Sequence, residues 1–193
     1  MQAHQRQLAP GALRLIQVFV NTKDIEASRD ELDTPERLHI WLAKHDLLMS
    51  GDVVSEADLQ RALELREGLR MLLLANNERA VEPDAVAILN RAVHSARLMV
   101  RFGSDGQARL DASTAGFEGA LARLLAIVFA AMVEGTWARL KACRNNACRW
   151  VFYDASKNQG GAWCSMAICG SRMKARAYRR RQRGQTPAAI DEH

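Results

Sequence analysis

The chain has 193 residues, of which 48% are apolar and 25% are charged, and its formal net charge is +5. This composition suits a folded protein with a core and argues against a disordered chain. No apolar run has the eighteen or more residues of a membrane span, and the longest candidate, Ala120 to Val133, contains Arg123. Met1 to Pro10 lacks the apolar stretch of a secretory signal. We therefore expect a cytoplasmic protein with no membrane partner.

Charge is divided unevenly along the chain. Residues 139–183 carry twelve Lys and Arg against one acidic residue, which gives +11. Residues 1–138 carry fifteen Lys and Arg against nineteen acidic residues, which gives −4. A separate positive segment favours a polyanionic partner. We expect a helical domain over 1–138, a basic module over 139–183 and a tail over 184–193.

Apolar residues at helical spacing, several of them preceded by a capping residue or by proline, predict five helices in the first part. They begin near Ala12, Thr34-Pro35, Ser55, Glu82-Pro83 and Gly116. The last helix is predicted to extend to about Lys141, with an apolar stripe that includes Phe129 and Met132. Before it, Leu98–Phe102 and Gln107–Asp111 alternate about a Gly-bounded turn and predict a β-hairpin. The predicted fold class of this part is mainly α.

A ligand pocket is one interpretation of three polar residues in the helical part. Asn21 and Thr22 end the first apolar helix with polar groups. Arg66 lies among apolar neighbours, where its charge needs an anion or a carboxylate. A small-molecule effector could bind there. The alternative interpretation is a structural cap and a salt bridge.

The four cysteines of the chain form two equal C-x4-C knuckles, Cys143 with Cys148 and Cys164 with Cys169, fifteen residues apart. Two short turns that face each other can bind a soft divalent ion through four thiolates, as in structural zinc modules. Two disulfides and four unrelated thiols are alternatives. A reducing cytosol argues against the first, and the matched spacing argues against the second. Four thiolates leave no open coordination position, so we predict structural Zn²⁺ and no enzymatic activity.

A cationic segment follows the last cysteine directly. Seven of the twelve residues from Arg172 to Arg183 are basic and none is acidic. On a helix these charges repel one another unless an anion is present, which favours nucleic acid over a merely solvated helix. The predicted nucleic-acid contacts are Arg172, Lys174, Arg176, Arg179, Arg180, Arg181 and Arg183. The complete predicted architecture is a helical domain followed by a four-cysteine zinc finger that leads into a basic helix.

The C-terminal stretch resembles the CGNR-type zinc finger family. The matching segments are Leu140–Cys143, Cys148–Asp154, Trp163–Cys169 and Lys174–Arg176. Ser171 stands where the family motif has asparagine, in Cys169-Gly-Ser-Arg172. A hydroxyl at this position could still hydrogen-bond to the zinc loop or to a phosphate.

The first part is similar to the ABATE domain, which accompanies this finger. The similarity is carried by Phe19–Thr22, Thr34-Pro35, Trp41-Leu42 and Leu65–Glu67. Together the two resemblances imply a bacterial transcriptional regulator whose finger binds duplex DNA. The N-terminal domain would then sense an effector or form a homodimer. The alternative is a module that binds RNA or an acidic protein surface.

Overall fold

The computed structural model describes residues 7–49, 51–77 and 80–184 and, in the last helix, side chains up to residue 182. The helices within these ranges are α1 Leu13–Val20, α2 Pro35–Lys44, α3 Glu56–Ala75, α4 Pro83–Ala96, α5 Gly116–Val133 and α6 Ser171–Gly184. The strands are β1 Lys23–Asp24, β2 Arg29–Asp30, β3 Leu98–Phe102, β4 Ala108–Ala112, β5 Leu140–Ala142 and β6 Val151–Tyr153. The strands pair consecutively and antiparallel as β1–β2, β3–β4 and β5–β6.

The mainly helical fold class is confirmed, and the predicted helix starts lie where their capping residues indicate. The hydroxyl of Thr34 accepts a hydrogen bond from the backbone N–H of Arg37 at the start of α2. Ser55 and Asp58 form a reciprocal capping box at the start of α3. The hairpin β3–β4 is also as predicted, whereas the short β1–β2 pair was not foreseen. Of the predicted tail, only Gly184 lies within the described residues.

The prediction that the fifth helix extends to about Lys141 is wrong, because α5 ends at Val133. Gly135 adopts a left-handed conformation with φ +73°. Its N–H and the N–H of Thr136 donate back to carbonyls of the last helical turn, over 3.2 and 2.9 Å. This pattern is a Schellman cap, which stops a helix and turns the chain. A single 3-10 turn follows, and the chain then continues as β5.

Helix α5 is the central element of the helical body and contacts α1, α4 and β4. It is long and apolar enough to cross a membrane by length and composition, but half of it is buried inside the protein. That burial is typical of the core helix of a globular protein. Its apolar stripe is narrower than predicted, since Phe129 and Met132 are 50% and 43% exposed.

The β5–β6 hairpin belongs to the core of the helical body although it lies beyond the predicted boundary at residue 139. Leu140, Ala142 and Val151 are fully buried in the same apolar cluster as the helices. Three of the cysteines form a second cluster with Trp150, Trp163, Cys164 and Ile168 packed against them. The part of the finger beyond the hairpin therefore has a small core of its own.

Candidate metal centre and nucleic-acid interface

The structure brings the four cysteine sulfurs together at the edge of the helical body. Their Sγ atoms all lie within 4.8 Å of one another. The separations are 3.6 Å between Cys148 and Cys164 and 3.8 Å between Cys164 and Cys169. Tetrahedral zinc with bonds of about 2.3 Å places its sulfurs about 3.8 Å apart. All four are free thiols and not disulfides, so the donor set and its spacing fit zinc.

The electrostatics of the cluster also favour a bound dication. Hydrogen bonds from Cys148 and Cys164 lower the pKa of the Cys143 thiol to about 4. The hydrogen bonds to Cys143 in turn raise the pKa of the Cys148 and Cys164 thiols. Once one thiol is ionised, its negative charge therefore opposes ionisation of the neighbouring thiols. A divalent cation offsets that repulsion and allows four thiolates to coexist.

Asn145 supports the metal centre from inside the first knuckle, a role that the sequence did not indicate. It is 5% exposed, and its Nδ2 donates to the sulfur of Cys169 over 3.6 Å. Its backbone carbonyl accepts from the N–H groups of Cys148 and Arg149. Asn145 thus shapes one knuckle and binds a ligand of the other. Nothing in the sequence distinguishes it from its exposed neighbour Asn146.

Asn145→Ala is expected to weaken zinc binding by roughly 10- to 100-fold, the usual cost of losing a group that orients a metal ligand. Competition with a chromophoric chelator measures the affinity. Asn146→Ala is the matched control, since it removes an exposed amide from the same turn. Equal zinc affinities of the two variants would show that the amide of Asn145 does not support the metal centre.

A buried ion pair closes the loop between the two knuckles. Lys141 Nζ lies 3.0 Å from Asp154 Oδ2, and both side chains are almost fully buried. Burial opposes ionisation of Asp154, but hydrogen bonds from Ser156, Lys141 and Gly161 outweigh it and lower the pKa of this carboxyl to about 2. The carboxylate therefore holds the two ends of the loop together.

Polar side chains of the helical body bind the backbone of the finger. Asn21 pairs with both backbone groups of Val151, donating to the carbonyl and accepting from the N–H, each over 2.8 Å. Asn77 donates to the carbonyls of Ala142 and Ala162 on either side of the cysteine cluster. Arg70 donates to the carbonyl of Arg149 over 3.1 Å. These contacts fasten the metal centre to the body.

The three residues proposed as a ligand pocket have structural partners. Arg66 is 1% exposed and forms a bidentate ion pair with Asp30, with N–O distances of 2.6 and 2.7 Å. Its guanidinium also donates to the hydroxyl of Thr22, and Asn21 is held by β6. None of the three lines the groove beside α5 or the cleft between α3 and α4. These contacts support the alternative interpretation, a structural cap and a salt bridge.

Asp30→Ala is expected to destabilise the helical body by about 3 kcal/mol, because it leaves the charge of Arg66 buried without its main partner. Asp33→Ala is the matched control and should change stability by less than about 1 kcal/mol, since its pair with Arg37 is exposed. Urea unfolding measures both. Equal stabilities of the two variants would contradict the structural role of Arg66.

The same pair makes stability depend on pH. Burial opposes ionisation of Asp30, but hydrogen bonds from Arg66 and from the backbone of Leu32 outweigh it and hold its pKa below 3.8. The stabilisation is present above pH 3.8 and is lost as the pH falls through the folded-state pKa. The difference in free energy of unfolding between the unmodified protein and Asp30→Ala should therefore become smaller in acid.

Helix α6 begins immediately after the last cysteine. A single π-helical turn, Met166–Gly170, carries Cys169 into the first turn of α6. Ser171 Oγ donates to the carbonyl of Met166 over 3.3 Å, so the hydroxyl does bind the zinc loop. The direction of α6 is therefore set at the metal centre.

The described side chains of α6 are solvent-exposed on every face from Lys174 to Gln182. Arg172 forms an ion pair with Glu26 of the helical body, so this predicted nucleic-acid contact already has a protein partner. Among the described side chains, no acidic group pairs with the other predicted contacts, Lys174, Arg176, Arg179, Arg180 and Arg181. The side chain of Arg183 lies outside the description. The helix thus presents a positive surface away from the body.

The fold and the cysteine cluster define a helical protein with a C-terminal zinc finger. The model of the CGNR zinc finger matches residues 139–182. The ABATE model, described as "Putative stress-induced transcription regulator", matches residues 13–136. The chain therefore belongs to the ABATE family and carries a CGNR zinc finger with a structural zinc site. This confirms both resemblances. No curated protein matches the chain.

Proposed function

We propose that the protein is a DNA-binding transcription regulator whose zinc finger presents α6 to the phosphates of duplex DNA. The observation that carries this proposal is the exposure of α6 on all sides together with the unpaired state of its described cations beyond Arg172. From Lys174 to Gln182 this helix buries no side chain against the described part of the chain. An external polyanion would relieve the repulsion between its charges.

The dimensions of α6 suit a DNA groove. A helix with its side chains is about 10–12 Å across, and the major groove of B-DNA is about 12 Å wide. Arginines at 179, 180 and 181 follow one another and point around the helix, so they cannot all face the base edges of one groove. We therefore assign most of them to phosphates. Contacts of this kind fix position and affinity and carry little sequence information.

Zinc has a structural role in this scheme. Four thiolates fill a tetrahedral site and leave no position for a substrate, so we assign the centre no catalytic step. Loss of the metal would release the first turn of α6 and with it the positive surface. We place the protein in the cytoplasm, where a bacterial regulator meets DNA, and assign effector sensing or dimerisation to the helical body.

The proposal is tested by comparing binding to a mixed-sequence DNA duplex and to a structured RNA of the same length at one salt concentration. We expect tighter binding to the duplex. Tighter binding to RNA would favour the alternative of an RNA-binding module. Binding to neither would leave an acidic protein surface as the partner of α6 and would overturn the proposal.

A further inference from the structure

Strand β3 has one edge that is not paired within the described part of the chain. Gly103 N–H donates to the carbonyl of Gln107 at the hairpin turn, which fixes the alternation of hydrogen bonds along the ladder. Met99 and Arg101 therefore direct their backbone groups toward β4. Those of Leu98, Val100 and Phe102 point the other way. The sheet has two strands, so these outward groups face an open edge.

The side chains on this edge are apolar and exposed. Val100 and Phe102 are 61% and 73% exposed and lie on the same face of the hairpin as Leu110. That face continues into an open groove of about 770 Å³, whose lining includes Leu110, Phe129 and Val133. Phe129 and Val133 are themselves 50% and 72% exposed. An apolar open edge of this kind is a surface that proteins cover.

We propose that β3 pairs antiparallel with β3 of a second copy of this chain, about a two-fold axis at Val100. In this register the outward backbone groups of Leu98, Val100 and Phe102 bond to those of Phe102, Val100 and Leu98 of the second copy. Each open donor and acceptor then has a partner. The two hairpins become one four-stranded sheet with no open β3 edge.

The side chains select this register and this partner. Leu98 lies opposite Phe102 of the second copy, so apolar residues meet on the groove side. Met99 lies opposite Arg101 of the second copy on the other side, so no like charges are opposed. Pairing centred on Arg101 would place two guanidinium groups opposite each other across the axis. A shift by one residue would place the apolar face of one β3 beside the face of the other β3 that carries Arg101. The register centred on Val100 therefore pairs all three outward residues and opposes no like charges.

The assembly would carry two α6 helices related by the two-fold axis. Symmetric dimers of DNA-binding proteins bind two half-sites on a duplex. The dimer itself does not depend on DNA binding and can be tested without DNA.

Sedimentation equilibrium of the full zinc-loaded chain tests the proposal. The unmodified protein should be dimeric. Val100→Lys and Val100→Glu should each be monomeric, because a residue on the two-fold axis meets its own charge. An equimolar mixture of the two variants should recover the dimer, because opposite charges then meet at the axis. Val53→Lys is the matched control and should stay dimeric, since Val53 is exposed elsewhere on the body.

A second variant separates loss of pairing from loss of folding. Val100→Pro removes the outward N–H and leaves the bonds between β3 and β4 in place, so it should be monomeric with an unchanged circular dichroism spectrum. A monomeric unmodified protein would overturn the proposal. So would a dimer that survives all three substitutions at Val100, or a charge-swapped mixture that stays monomeric.

Discussion

Cys148→Ser is expected to abolish zinc binding and to release α6 while the helical body stays folded. Four thiolates supply on the order of 10 kcal/mol to a zinc module at neutral pH, and three thiolates with a hydroxyl supply much less. The cluster of Cys143, Cys148 and Cys169 is the core of the finger beyond the hairpin. That cluster is too small to hold α6 in place without the metal.

The body should survive because its core does not include the cysteines. Leu140, Ala142 and Val151 pack with the helices, and Asn21 holds β6 directly. Metal analysis should find one zinc per unmodified chain and none in Cys148→Ser. Far-UV circular dichroism should show the loss of about one helix. Asn146→Ser, an exposed change in the same knuckle, should retain the zinc.

Three results would contradict this role of the metal centre. One zinc per chain in Cys148→Ser would show that the metal binds elsewhere. Collapse of the whole protein in Cys148→Ser, measured as loss of the main unfolding transition, would show that the cysteine cluster is part of the body core. A zinc-free unmodified protein would contradict the four-thiolate site itself.

Simultaneous replacement of Arg176, Arg179 and Arg180 by alanine is expected to weaken duplex binding by roughly 100-fold or more, since each charged contact contributes more than about 1 kcal/mol. Each phosphate contact also contributes about 0.9 to the slope of log affinity against log salt. The slope should therefore become shallower by about three. The loss should be similar for unrelated duplexes, because phosphates carry no base identity.

The matched control removes three exposed cations from the helical body, Arg14, Lys44 and Arg91. It changes the net charge by the same amount and leaves α6 intact. Fluorescence anisotropy over a salt series measures the affinity and the slope of both proteins. An equal loss in the two variants would mean that net charge, and not the surface of α6, accounts for binding.

The metal centre could be predicted from the sequence because its ligands lie in two short turns. Two C-x4-C knuckles fix the spacing within each turn, and the chain only has to bring the turns together. The starts of α2 and α3 were predictable for a similar reason. Thr34 and Ser55 cap the N–H groups of residues within three positions of themselves.

The end of α5 was not predicted because two local signals conflict. Apolar residues continue at helical spacing through Trp137 and Leu140, which favours a longer helix. Gly135 overrides them by taking the left-handed conformation that other residues resist. The remaining apolar positions then serve a 3-10 turn and β5.

No sequence pattern predicted the contacts that hold the finger against the helical body. The side chain of Asn21 meets the backbone of a residue 130 positions away. Backbone groups carry no residue identity, so no motif marks their partners. The sequence did show that Asn21 and Arg66 are polar groups in apolar surroundings that need partners. The structure shows that those partners are protein atoms, Val151 and Asp30.

We propose that zinc holds α6 in the position in which it binds duplex DNA. The most direct test is a salt titration of duplex binding by the zinc-loaded protein and by the same protein after chelation. The zinc-loaded protein should bind with a log–log slope of about −4 to −5, one phosphate for each described unpaired cation of α6. Chelation should weaken that binding, and added zinc should restore it. Duplex binding that is absent, independent of salt or unaffected by chelation would contradict the claim.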